Sequence, residues 1–244
     1  MELITKQKND AWILIKEDLD LITLKERILG ADVCISDIDD TDAKSPAKNL
    51  AYHSLIESKV LNPKFWLWCL ETGTKLLADR KKAEIEAWKK YVENFLRDPK
   101  ELQKIKARFT DKNIEQLLYP GTFELYVLLK DTYKIYITGN IEEIAQKFTN
   151  FFGFDEYMAE VFDKEKAAIN LVERKPWFKN YFVKGDSKED ELILNVLNFY
   201  KKKGKLESIT SCCIVDCKNK INEKFDINIG KNYFGLVQIL NEKF

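Results

Sequence analysis

The sequence holds a single histidine, His53, among 244 residues. A chain so poor in imidazole has little material for a Ser–His–Asp relay or a histidine-built zinc centre. Net charge is missing as well, since 40 Lys+Arg stand against 40 Asp+Glu. There is then no general electrostatic pull toward nucleic acid, and none is expected as a partner. No apolar run approaches the roughly 18 residues that cross a bilayer. The opening MELITKQKND lacks the basic-then-apolar order of a secretory leader. These absences lead us to expect a soluble, cytoplasmic chain without membrane attachment. Cys34, Cys69, Cys212, Cys213 and Cys217 make an odd count without a leader, which argues against a disulfide framework. The last three lack CxxC pairing, so SCCIVDC reads as an apolar strand with buried thiols. No internal repeat or low-complexity segment is visible.

What is present centres on Ala31–Thr41, ADVCISDIDDT. Its first half has the short, apolar, β-branched character of a buried strand. It ends on Asp37 and Asp39, which point to one side if the chain is still extended there. Two carboxylates so placed disfavour joint ionisation, and a cation removes the conflict. A polar turn rich in Asp is the plainer alternative.

The length suits one domain with an insertion, or two small domains. DAWILIK (Asp10–Lys16) reads as a short strand and Asp18–Leu29 as a helix capped by Gly30. We expect residues 1–30 to decorate the main fold. From Thr41 to about Tyr119 the pattern is helical throughout, with starts at Ser45-Pro46, Asn62-Pro63, Asp98-Pro99 and Thr110-Asp111. The aromatic cluster Phe65, Trp66 and Trp68 lies at helical spacing and suits a core better than a pocket. After Tyr119-Pro120-Gly121 come a helix (Thr122–Lys130), a strand (KIYIT, 134–138) and a helix (Ile141–Phe151). Asp155–Phe162 reads equally as strand or helix. A third strand, NYFVK (180–184), runs into Gly185-Asp186-Ser187 and a helix over Glu191–Tyr200, and Ser208–Val215 is a fourth strand.

Strands separated by helices imply a mainly parallel sheet flanked by helices, a Rossmann-like α/β core. Ligands in such sheets sit beyond the carboxyl ends of the strands. Asp37 and Asp39, Thr138, and Asp186 with Asp190 all stand at such ends. Carboxylates converging with a hydroxyl and a lysine suit a hard, oxygen-ligated cation, Mg²⁺ above all, with room left for phosphate oxygens.

DIDDT, of the form DxDxT after an apolar strand, resembles the first motif of the haloacid dehalogenase superfamily of phosphohydrolases. IYITGN resembles the second, Lys175 in ERKP the third (with Lys179 as the alternative), and GDSKED, of the form GDxxxD, the fourth. The resemblance covers about 31–41 and 119–215. It implies a core of residues 1–41 and 120–244, with residues 42–119 inserted after the first motif as an all-helical cap of the C1 type. It also implies that Asp37 is the nucleophile and Asp39 the general acid/base. Thr138, Gly139 and Asn140 would contact phosphate, and Lys175 would balance charge. Mg²⁺ would be held by Asp37, Asp39 (through its carbonyl), Asp186 and Asp190. Asp40 is expected to contribute a backbone amide. The implied activity is phosphatase action on a small phosphorylated metabolite. A phosphomutase or phosphotransferase using the same aspartyl-phosphate is the alternative, and a non-catalytic binding protein that kept the fold is another. Substrate identity and oligomeric state are not legible.

Overall fold

The computed structural model describes residues 2–4, 11–44, 63, 66–68, 70, 80–216 and 221–243. The helical readings over 45–62, and with them Phe65, His53, Cys69 and Cys217, lie outside the described residues. The core is one eight-stranded sheet. Its strands in chain order are β1 (Glu2–Ile4), β2 (Ile13–Ile15), β3 (Val33–Ser36), β4 (Tyr133–Ile137), β5 (Glu156–Met158), β6 (Asn180–Gly185), β7 (Ser208–Ile214) and β8 (Ile227–Ile229). Their spatial order is β1-β2-β8-β7-β6-β3-β4-β5. The six strands from β8 to β5 run parallel, while β2 pairs antiparallel with β8 and with β1. The α/β core with a mainly parallel sheet is therefore present as read.

The ambiguous stretch 155–162 resolves into β5 followed by loop. Residues 11–30 correct the reading of a decoration. β2 is a strand of the central sheet, with Ile13, Leu14 and Ile15 all buried, and Leu24 and Ile28 of the following helix α1 (Leu21–Leu29) enter the core. Asp20 caps that helix by accepting from the Thr23 amide at 2.9 Å.

Strand alternation sends side chains to two faces, and both are covered, as a parallel sheet requires. Cys34, Tyr136, Phe182 and Cys212 face one side. They pack with α1, α5 (Thr122–Leu128), α6 (Glu142–Phe152) and α9 (Phe234–Asn241). Val33, Ile35, Ile135, Ile137, Tyr181 and Val183 face the other, against α7 (Lys164–Arg174) and α8 (Lys188–Lys202). Between β3 and β4 the described chain is helical: α2 (Arg80–Tyr91) continues through a π-helical turn (Val92–Leu96) to α3 (Pro99–Arg108) and α4 (Asp111–Leu117). Tyr91, Val92, Ile105, Phe109 and Ile114 join the first of the two clusters. Trp66 is exposed, whereas Trp68 packs on the Tyr91 ring at 5.2 Å and donates to the Ala87 carbonyl.

The return from this helical segment is fixed by Gly121, whose φ of 83° lies in the left-handed region. A Cβ there would stand 2.7 Å from the Phe234 amide nitrogen and 2.9 Å from the Tyr233 carbonyl carbon. Gly121→Ala combines a left-handed backbone, at about 1–2 kcal/mol, with that collision. Urea unfolding is expected to show a loss of at least about 1–2 kcal/mol; unchanged stability would contradict this packing.

Candidate active site

The parallel arrangement delivers the ends of β3, β4 and β6 to one rim. β3 and β4 align at Ser36 and Tyr136, and β3 and β6 at Ser36 and Lys184, so Asp37, Thr138 and Asp186 emerge side by side. Oxygens of Asp37, Asp186 and Asp190 lie within 4.8 Å of one another. The first turn of α8 explains why Asp190 joins them. Its Oδ2 accepts from the Asp186 amide (3.1 Å), the Ser187 amide (3.0 Å) and the Ser187 hydroxyl (2.7 Å), a capping box that starts the helix. Gly185 makes room for this, because a Cβ at that position would fall 2.2 Å from the Asp190 carboxyl carbon.

The lysine at the rim is Lys164. Its Nζ donates to Asp37 Oδ2 at 2.6 Å and to Asp190 Oδ1 at 2.5 Å, with all three side chains largely buried. Lys175 is elsewhere. It ends α7, pairs with Glu156 at 3.8 Å and lies 4.4 Å from the centre of the Tyr133 ring. Lys179 donates to the Pro176 and Lys205 carbonyls. The expectation that one of these two faces Asp37 is corrected to Lys164. The physical reason is the direction of α7, which runs away from the rim, so its first residue is at the site and its C-terminal end is three turns distant. The sequence marks no more than an ordinary helix start at this position. Asp163 is an N-cap that accepts from the Lys166 amide, and Ala167, Ala168, Leu171 and Val172 follow at helical spacing.

Thr138 is fully buried, and its hydroxyl hydrogen-bonds to the Asp37 carboxylate. The Asn140 amide (3.2 Å) and side-chain NH₂ (3.0 Å) both donate to Thr138 Oγ1. With its lone pairs so occupied, the hydroxyl keeps its proton for an acceptor on the Asp37 side. Asn140 Oδ1 is buried with no hydrogen-bond partner among the described residues. From the helical segment, Trp88 Nε1 donates to the Gly139 carbonyl at 3.0 Å. Asp39 is half-buried, and its backbone bridges to Ala43. Asp40, at φ 55°, accepts through Oδ1 from Lys231 (2.9 Å) and the Tyr119 hydroxyl (3.1 Å), so its side chain is engaged beyond the expected amide.

Burial pushes the Asp37 carboxyl up from its ordinary value, with Lys164 opposing and Asp190 adding to the rise. Asp186 is raised to about 8, first by burial and then by Asp190 and Asp37. The Thr41 hydroxyl donates to Asp186 Oδ1 at 3.4 Å. Asp190, by contrast, already receives the loop amides and Lys164. The donor set therefore fits a hard divalent cation at Asp37 and Asp186, with Asp190 behind them holding the loop and the lysine.

No protein-family model matches this sequence, and a comparison with curated proteins gives no match. Solved structures do share its fold. Cytosolic 5'-nucleotidase IIIB bound to cytidine superposes with a TM-score of 0.64 at 12% identity, over 93% of this chain and 92% of that one. Phosphoserine phosphatase from T. onnurineus gives 0.54 at 16% identity, over 87% and 96%. A phosphoserine phosphatase in its apo form gives 0.54 at 13% identity, over 85% and 98%. The chain thus has the haloacid-dehalogenase-like fold of these phosphatases.

The raised Asp186 has a consequence for stability. Without a cation, the folded state keeps a proton on Asp186 that the unfolded chain has released above its ordinary value of 3.8. Stability from this group is complete below that value and is lost as pH rises toward about 8. In chelator, the thermal midpoint is expected to fall between about pH 5 and 8, and Asp186→Asn to flatten the slope. Added Mg²⁺ should raise the midpoint most at the alkaline end, where no proton competes. A midpoint in chelator that does not fall over this range would contradict the assignment.

Proposed function

We propose that the chain is a Mg²⁺-dependent phosphoric monoester hydrolase that acts on a small phosphorylated metabolite through an aspartyl-phosphate. The observation carrying this reading is the contact of Lys164 with Asp37 inside a cluster of three carboxylates, beside the Thr138 hydroxyl. That set combines a nucleophile, a fixed positive charge, a hydrogen-bond donor and a place for a cation within one phosphoryl group's reach. The cation's ligands would be Asp37, Asp186 and the Asp39 carbonyl, with Asp190 holding them in place. When bound, Mg²⁺ supplies charge neutralisation for the carboxylates and the phosphoryl oxygens.

In the first half-reaction a carboxylate oxygen of Asp37 bonds to phosphorus as the bond to the leaving oxygen breaks. Asp39 gives its proton to that oxygen. In the second, Asp39 takes a proton from water, whose oxygen attacks phosphorus and frees Asp37 and phosphate. Thr138 and the Gly139 amide hold phosphoryl oxygens, with Asn140 orienting the Thr138 hydroxyl. Lys164 takes the charge-balancing role that the sequence had suggested for Lys175. The helical segment between β3 and β4 acts as the cap, and Trp88 ties it to the phosphate loop. The structures of similar fold include a nucleotidase and phosphoserine phosphatases, which supports a small monoester without narrowing its leaving group.

Hydrolysis of an aryl phosphate is expected with Mg²⁺ and not with chelator, and Asp37→Asn should abolish it; activity persisting in that variant would overturn the mechanism. Lys164→Met is expected to lower kcat by about 10²–10³-fold, as removal of a transition-state donor does. Lys175→Met should leave kcat near the wild-type value, and the reverse ranking would restore the assignment made from sequence. A phosphorylated organic product in place of free phosphate would redirect the reading to transfer.

A further inference from the structure

One layer beneath the rim lies a second charge pair that the proposed chemistry does not use. Lys184 and Asp42 are both fully buried, with Lys184 Nζ donating to Asp42 Oδ1 at 2.6 Å. Lys184 is the last full residue of β6 before Gly185-Asp186. It stands in a row of aligned residues across the sheet, Tyr136, Ser36, Lys184 and Cys212. Asp42 returns beneath that row from the loop that follows Asp37. Its Oδ2 accepts from the hydroxyls of Tyr136 (2.8 Å), Ser36 (3.2 Å) and Tyr126. The Lys184 ammonium also lies 4.2 Å from the centre of the Tyr126 ring and 4.7 Å from that of Tyr233.

A pair this deep is a poor way to gain stability. Desolvating two charges offsets most or all of their attraction, and apolar side chains of similar volume hold comparable sites as well or better. What the pair has that two leucines lack is direction. Three donors, Lys184, Tyr126 and Tyr136, converge on one carboxylate, and the Ser36 hydroxyl shares its single proton with it, in a single arrangement. Those donors come from β3, β4, β6 and α5, so the loop after Asp37 is tied at once to three strands and a helix.

The tie also sits beside the site itself. Thr41, one residue before Asp42, places its hydroxyl 3.4 Å from Asp186 Oδ1. Asp186 is two residues after Lys184. Two adjacent residues of the loop therefore meet two neighbouring positions at the end of β6. Ser36 Oγ lies 2.9 Å from the Asp37 carbonyl and 3.2 Å from Asp42 Oδ2, so its single proton is shared between these two acceptors and couples the carboxylate to the backbone of Asp37. Movement of Asp42 relative to Lys184 would alter the separation of Asp37 and Asp186.

We propose that Asp42 and Lys184 are positioning residues: their buried pair sets the spacing of Asp37 and Asp186 and thereby the affinity of that site for a divalent cation. This rests on the phosphohydrolase reading for its use, though not for its geometry. The test is the double variant Asp42→Asn/Lys184→Met, which leaves no unpaired buried charge and keeps an acceptor for the two tyrosines. Its crystal structure is expected to show the Asp37, Asp186 and Asp190 oxygens spread beyond the present 4.8 Å. Titration with Mn²⁺ alone should show at least about a tenfold weaker dissociation constant, the scale of losing a group that orients metal ligands. Unfolding should remain cooperative, and kcat should fall with KM little changed. If the double variant does not fold, Ser36→Ala carries the same two measurements, because it removes only the hydroxyl between Asp42 and the Asp37 backbone. Unchanged carboxylate spacing together with Mn²⁺ affinity within twofold of wild type would overturn the proposal. A wild-type protein that neither binds Mn²⁺ nor turns over phosphate would instead overturn the phosphohydrolase reading, and the spacing measured in the variant would still decide the positioning role.

Discussion

The ammonium of Lys164, set between the carboxylates of Asp37 and Asp190, is the contact on which the rim depends. Three carboxylates drawn together away from water repel one another and favour protonation. Lys164 offsets part of that repulsion, and it does so from the first turn of a helix on a different crossover from either aspartate. Asp186 touches no ammonium among the described residues, and burial, then Asp190 and Asp37, raise its carboxyl while Lys164 opposes the rise. In the proposed reading a divalent cation would complete the charge balance, and its affinity would follow from the arrangement of the folded carboxylates.

Two buried lysines divide the labour. Lys164 faces the opening and touches the proposed nucleophile, whereas Lys184 faces the core and touches nothing that reacts. Both are held by aspartate, yet the chemistry open to each is set by depth. A charge at the rim is open to an incoming group, while a charge set between the Tyr126 and Tyr233 rings can only hold a shape. The parallel sheet makes the division possible, since neighbouring strands in register put one row of side chains under another.

What the sequence disclosed follows from how local each signal is. Asp37, Thr138 and Asp186 were legible because each directly follows a short apolar strand, and parallel strands share an end. Lys164 was not, because the stretch before it has no decisive period and a lysine in a helix's first turn is unremarkable by itself. Asp42 gave no warning at all. It follows the polar run Asp39-Asp40-Thr41, and its partners Ser36, Tyr126, Tyr136 and Lys184 meet it only once the loop has folded back. β2 was visible as a short strand, but its place in the sheet depends on β8, and three residues of pattern cannot name a partner so distant.

That distance has a consequence for how the molecule comes together. Lys16 and Asp226, which meet beside the β2–β8 pairing, are 210 positions apart. A ribosome releases the early strand long before its match exists, so the segment waits while the parallel layers assemble without it. Until β8 arrives, the outer margin of β7 is an open hydrogen-bonding ladder, the kind of surface that recruits other chains. Conditions that delay this final stitching would be met first as clumping during biosynthesis, even where the finished protein is sound.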